Sequence, residues 1–222
     1  MTALLPALEL EPKTPARAAV IWLHGLGADG HDFAPIVPEL GLPAALGVRF
    51  VLPHAPSIPV TINGGMTMPA WYDIAEVDLR RRHDEVGIRR SAAQIDALIA
   101  RERARGIPSE RIVLAGFSQG GAIALFAGLR HHERLAGLVA LSTYLVGEDS
   151  LDAERTAVNQ RTPILQVHGS HDGVVVPERG RAARASLQRR GYDVTWLDYR
   201  MQHEVCWEEI VAIGDFLRRV LA

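Results

Sequence analysis

Residues 116–120 read Gly-Phe-Ser-Gln-Gly, a serine with a glycine two positions away on either side. A serine hydroxyl attacks carbonyls only when a base takes its proton and donors hold the developing oxyanion. The pentapeptide alone recurs by chance, so its setting carries the argument. RIVLAG (111–116) reads as a buried strand, and the small-residue segment from Gln119 reads as a helix. A serine on such a strand-to-helix turn holds a strained backbone with its hydroxyl above the sheet, and bulk at position 116 or 120 would clash. Ser118 is therefore the candidate nucleophile. His24-Gly25-Leu26-Gly27 follows another apolar run, and its glycines let backbone N–H groups turn toward a substrate carbonyl. The candidate oxyanion donors are the N–H groups of Leu26 and Gln119.

Nine histidines compete for the role of base. On a parallel sheet with this kind of elbow, the partners follow in chain order: serine, then Asp or Glu, then His, each at the C-terminal end of a strand. That order removes His24, His31, His54 and His83. His131 and His132 end the elbow's own helix, where cations suit the dipole, and are expected on the surface. Of the remaining His168, His171 and His203, only His203 lies downstream of a well-placed carboxylate, just past the last strand. For the acid, Asp172 follows the strand PILQVH by four residues. Asp149 and Asp152 are alternatives after the preceding strand, and Asp193 lies at the wrong end of its own. VHGSHDGVV (167–175) also invites a metal reading, yet His168 and His171 lie on a strand end and loop, with no HExxH elsewhere to complete a shell. No metal and no cofactor are expected.

These side chains need elements to hold them. AVIWLH (19–24), VRFVLP (48–53), RIVLAG (111–116), LVALS (138–142), PILQVH (163–168) and DVTWLDY (193–199) read as buried strands. Residues 84–105, 119–130, 177–190 and 205–221 read as helices; in the first, Ile88, Ala92, Ile95, Leu98 and Ile99 make one apolar stripe. The alternation implies an α/β protein, a mainly parallel sheet with helices on both faces, within a single domain spanning 1–222. Residues 57–73, SIPVTINGGMTMPAWYD, interrupt it with a hairpin signal at Asn63-Gly64-Gly65, long enough to border a site.

Bulk composition excludes several classes. A net charge of −2 gives no general pull toward nucleic acid, and Arg80-Arg81-Arg82, flanked by Asp78, Asp84 and Glu85, reads as a solvated surface. The single cysteine, Cys206, rules out an intramolecular disulfide and a thiolate cluster and fits a reducing compartment. The N-terminus lacks a basic region and is broken by Pro6 and Glu9, so it does not read as a signal peptide, and no apolar run approaches a membrane span. A cytoplasmic location is the expectation.

With Ser118, Asp172 and His203 in place, the chain resembles the phospholipase/carboxylesterase family of small α/β-hydrolases, from about Val20 to the C-terminus. The resemblance is carried by HGLGADGHDF (24–33), LPHAP (52–56), PVTINGGMTMPAWYD (59–73), GFSQGGAIAL (116–125), VHGSHDGVV (167–175) and YRMQHEV (199–205). It implies an α/β-hydrolase fold without a large cap domain, and Ser118, Asp172 and His203 as nucleophile, acid and base. It also implies Leu26 and Gln119 as oxyanion donors, and an acyl groove bordered by Met66, Met68 and Trp71. Core packing explains those three nearly as well, and Trp71-Tyr72-Asp73 as a brace is the other reading. The expected activity is hydrolysis of short-to-medium acyl carboxyl esters, with thioesterase or lysophospholipase activity as the alternative. An acyltransferase and a non-catalytic binding protein are the rival classes. The expected partner is a small-molecule or lipid acyl ester, without nucleic acid or stable membrane insertion; a homodimer is left open.

Overall fold

The computed structural model describes residues 4–75 and 84–222. Six of its strands are those expected, each within a residue or two: β2 (Ala18–Leu23), β3 (Val48–Pro53), β6 (Ile112–Phe117), β7 (Gly137–Leu141), β8 (Ile164–Gly169) and β9 (Val194–Tyr199). They pair in parallel in the order β3-β2-β6-β7-β8-β9. A seventh strand, β1 (Ala7–Leu10), joins antiparallel to β3 at the edge. It lies in the segment read from sequence only as not a signal peptide, lacking a basic region and broken by Pro6 and Glu9. Four half-buried residues after Pro6 give little periodicity to find.

Helices cover both faces of the sheet. α1 (Glu85–Ala104), α2 (Gln119–Arg130), α3 (Glu148–Glu154) and α4 (Pro177–Arg189) contribute to one core, while α5 (Trp207–Val220) packs on the other. β2 shows why one sheet serves two cores. Ala19, Ile21 and Leu23 enter the first and Ala18, Val20 and Trp22 the second, as the two-residue period of a strand requires. α3 was not foreseen; seven residues with only Leu151 buried leave too short a stripe to read. The chain has the α/β-hydrolase fold without a large cap.

The segment from residue 57 forms a separate two-stranded ladder, β4 (Ser57–Val60) with β5 (Met66–Pro69). Gly64 (φ +67°) and Gly65 (φ +77°) supply the left-handed turn. Asp73 closes the base, accepting from Thr61 N–H (2.7 Å) and Thr61 Oγ1 (2.6 Å). Asp84 then ties this segment to α1, capping Gly87 N–H (2.9 Å) with one oxygen and taking Asp73 N–H (3.0 Å) with the other. Asp78, the Arg80–Arg82 run and His83 lie outside the described residues. Among the described residues, no helix is long and apolar enough to cross a membrane.

Candidate active site

Ser118 stands between the end of β6 and the start of α2 with φ +53° and ψ −121°. That backbone is costly for a residue with a Cβ and persists only where neighbours hold it. Three groups do so. Ser118 N–H donates to Leu141 O (2.8 Å), Ala122 N–H reaches Ser118 O (3.1 Å), and Thr143 Oγ1 donates to the same carbonyl (2.6 Å). The glycines are required by space. A Cβ on Gly116 would lie 2.4 Å from the Gly120 carbonyl, and one on Gly120 would lie 2.4 Å from His24 O. Thr143 lies two residues past β7; its role could have been sought by the same strand-end rule that located Asp172 and His203.

Asp172 and His203 come from the loops after β8 and β9. His203 Nδ1 lies 2.7 Å from Asp172 Oδ2, and the other carboxylate oxygen accepts the N–H groups of Val174 (2.9 Å) and Val175 (2.8 Å). With Nδ1 donating to a carboxylate, Nε2 of His203 keeps its lone pair and can act as a base. The loops approach because Gly169 has no side chain: a Cβ there would sit 2.2 Å from Gln202 O. His168 is buried, and its Nε2 donates to Val175 O (2.8 Å), which secures the Asp172 loop. Burial lowers its pKa and keeps it neutral. His171 is exposed, with its backbone N–H on Met201 O (3.1 Å). Asp149 and Asp152, the alternatives, lie on α3, where Asp152 pairs with Arg190 (2.9 Å).

The oxyanion candidates meet the same space. Gly25 to Ala28 form a turn in which Ala28 N–H reaches Gly25 O (3.3 Å) and Gly27 takes φ +77°. Gln119 is the first residue of α2, where an N–H has no partner within the helix. Leu26, Gln119, Ser118 and His203 all line one groove of about 600 Å³. Its walls are chiefly apolar, with Phe33, Ile36, Ile62, Ile74, Val174 and Val205 among them.

The expected substrate contacts need correction. The hairpin segment sends Ile62 and Asn63, followed by Ile74, into the lining, rather than Met66, Met68 or Trp71. Met66 is 64 % exposed on an arm of the hairpin. The Met68 sulfur accepts Asn63 Nδ2 (3.2 Å). Trp71 is fully buried: its indole donates to His24 O (2.9 Å), its N–H to Gln119 Oε1 (2.8 Å), and its carbonyl accepts Ser91 Oγ. Gln119 Nε2 donates to Tyr72 O (2.8 Å), and Gly27 N–H donates to Pro69 O (2.9 Å). The base of the hairpin thus ties both oxyanion candidates to a buried Trp71, which fits the core-packing and brace readings made for Trp71 rather than the groove contact. His24, buried behind the turn, accepts Ala55 N–H at Nε2 (3.0 Å), so its Nδ1 carries the proton toward Gly25 O (2.7 Å). Burial lowers its pKa.

Tyr144 on the groove wall bonds Tyr72 hydroxyl to hydroxyl (2.6 Å); burial raises both pKa values, and the two stay neutral. Beneath the His203 loop, Glu209 on α5 is fully buried. Neither of its oxygens has a well-formed hydrogen bond, although the nearby Cys206 N–H favours the charge slightly, and burial pushes its pKa up to about 8. His131 also departs from expectation: it is 4 % exposed rather than on the surface, while His132 is exposed.

Residues 9–221 match the Phospholipase/Carboxylesterase family. The chain belongs to that family. Like its relatives, it is a serine hydrolase of the carboxylic-ester type. Acyl-protein thioesterase 1 of Neurospora crassa is 46 % identical over 209 residues, covering 90 % of this chain and 85 % of the relative. The protein of the same name from Gibberella zeae is 40 % identical over 213 residues, covering 92 % and 91 %. Among solved structures, Arabidopsis thaliana SOBER1 superimposes with a TM-score of 0.87 at 30 % identity, covering 93 % of this chain and all of that one. Acyl-protein thioesterase 2 of Zea mays does so with a TM-score of 0.87 at 27 % identity, covering 98 % and 99 %.

Proposed function

We propose that this family member hydrolyses acyl thioesters of modified proteins, with oxygen esters as slower substrates. The observation that carries the reading is one apolar groove lined by Ser118, His203, Leu26 and Gln119 together. The relatives named acyl-protein thioesterase favour the thioester alternative over the carboxylesterase reading that ranked first from sequence. In the proposed mechanism, His203 Nε2 takes the Ser118 proton as Oγ attacks the acyl carbon. The oxyanion is held by Leu26 and Gln119 N–H, each such donor being worth about 3 kcal/mol. Collapse expels the thiol, which leaves with the proton from His203. Water, deprotonated by the same imidazole, then attacks the acyl-enzyme and releases the acid and Ser118. Asp172 holds the ring's tautomer and stabilises the imidazolium. The chemistry needs no cofactor, and Cys206 as the sole cysteine supports a reducing, cytoplasmic setting.

The test is a chain-length series run in parallel on oxygen esters and acylated cysteine peptides. Higher kcat/KM on the thioesters at matched chain length is expected. Preference for the oxygen esters at every length would return the reading to carboxylesterase. A fluorophosphonate should label Ser118 and abolish both activities.

A further inference from the structure

We propose that the turn after α2 is a binding site for a divalent first-row transition cation, zinc foremost, with His131, His132 and Glu133 as its ligands. The site lies at the opposite end of the 12-residue helix from Ser118, about 18 Å away along its axis. Each of the three side chains offers one ligating atom, and the three atoms lie within 4.8 Å of one another.

The state of His131 carries the argument. Its Nδ1 lies 2.8 Å from Asp96 Oδ1 on α1. With Nδ1 taken up by the Asp96 carboxylate, Nε2 is the ring nitrogen left to ligate an ion. That Nε2 is shielded from solvent and has no hydrogen-bond partner. A buried polar atom left unpaired is costly, and a bound cation would remove that cost. A carboxylate orienting an imidazole from behind is also the common arrangement around metal-bound histidine.

The backbone of the turn is held in place. Asn159, fully buried, donates through Nδ2 to His131 O (2.8 Å) and Glu133 O (2.8 Å) and accepts Leu135 N–H at Oδ1 (2.9 Å). Thr156 Oγ1 adds a second bond to His131 O (2.7 Å). His132 is exposed and can close on an ion without disturbing the core. Glu133 Oε2 lies 2.7 Å from Arg103 Nε without a well-aligned hydrogen bond, so its carboxylate keeps acceptor capacity for a cation. The negative end of α2 points at the same place. Two imidazoles and a carboxylate, with water in the fourth position, suit zinc or a neighbouring first-row ion better than magnesium or calcium.

The second cluster of this kind, Asp29, His31 and His54, is less ready. His54 Nδ1 already accepts Gly30 N–H (3.1 Å), so its other nitrogen carries the proton, and His31 is bonded to Asp29 (2.9 Å).

The test uses the full chain, untagged and stripped with EDTA, titrated with zinc chloride by calorimetry and with cobalt(II) by visible absorption. One ion per chain and a rise in Tm with added zinc are expected. His132→Ala and Glu133→Gln should each weaken binding about tenfold or more. Asp96→Asn retains all three ligands but releases the tautomer, and should weaken it about 10- to 100-fold. His31→Ala should bind as the wild type does. No uptake by the wild type below about 0.1 mM zinc would overturn the proposal. So would unchanged uptake in the His132→Ala/Glu133→Gln double variant, or loss of uptake in His31→Ala.

Discussion

The groove has two walls made in different ways. The elbow wall presses backbone on backbone: Cβ atoms at Gly116 or Gly120 would lie 2.4 Å from main-chain atoms, and Ser118 (φ +53°) and Ser142 (φ +44°) both hold positive φ at adjacent strand ends. At the tip of the hairpin wall, a Cβ on Gly64 or Gly65 would meet nothing within 4 Å. That arm is held from its base, by Asp73, Trp71 and the Gly27–Pro69 bond, and by Ile62 N–H on Ile74 O (2.8 Å). Glycine therefore serves close approach in one wall and only a turn in the other. The candidate nucleophile sits on the tightly packed wall, and the hairpin arm contributes Ile62 and Asn63 to the lining.

Substitutions in each wall test this contrast. Under the proposed mechanism, Ser118→Ala or His203→Ala should cost on the order of 10⁴-fold in kcat, measured on any hydrolysed ester, with the fold intact by circular dichroism. Gly120→Ala should cost about 3 kcal/mol or more of stability, lowering Tm by ~10 °C, because the added methyl meets carbonyl oxygen and not a flexible side chain. A wild-type Tm would show that the elbow wall can yield.

Glu209 tests the footing of the His203 loop. Its pKa rises from 4.5 to about 8 on folding, so the unfolded chain loses this proton first as pH rises. The penalty is absent below pH 4.5, grows between there and pH 8, and reaches up to ~5 kcal/mol above it. Glu209→Gln should therefore raise Tm increasingly from pH 5 to pH 9, and an equal shift at all pH values would contradict the burial argument. Trp71→Phe removes the indole bond to His24 O and should lower kcat about tenfold. KM should change little, since Trp71 does not line the groove; a dominant KM effect would return Trp71 to the substrate contacts. The smallest effect is expected at the hairpin tip: Gly64→Ala should cost about 1 kcal/mol for its left-handed backbone and leave kcat unchanged.

Strand ends were legible where side-chain pattern and backbone demand coincide. Gly-Phe-Ser-Gln-Gly after a buried run implies an elbow because sterics exclude other residues at its flanks. Asp172 and His203 were found as the acidic and basic residues beyond later strands. β1 and α3 escaped notice, being short and lightly buried, and Trp71, Met66 and Met68 could not be placed. Whether an apolar side chain in a long loop faces a groove or the core depends on which distant atoms surround it. Trp71 meets His24 just past β2, Ser91 on α1 and Gln119 on α2, up to 48 positions away.

Local sequence, then, determined the elements, the elbow and the family resemblance, because periodicity and glycine sterics act over a few residues. Tertiary structure alone set the 2.7 Å geometry between Asp172 and His203 and the support that His168 gives the Asp172 loop. It also decided that His131 is buried with one nitrogen unpaired. The reason is physical: hydrogen-bond partners and burial are set by chain segments tens of residues apart, and no local pattern encodes which of them will meet.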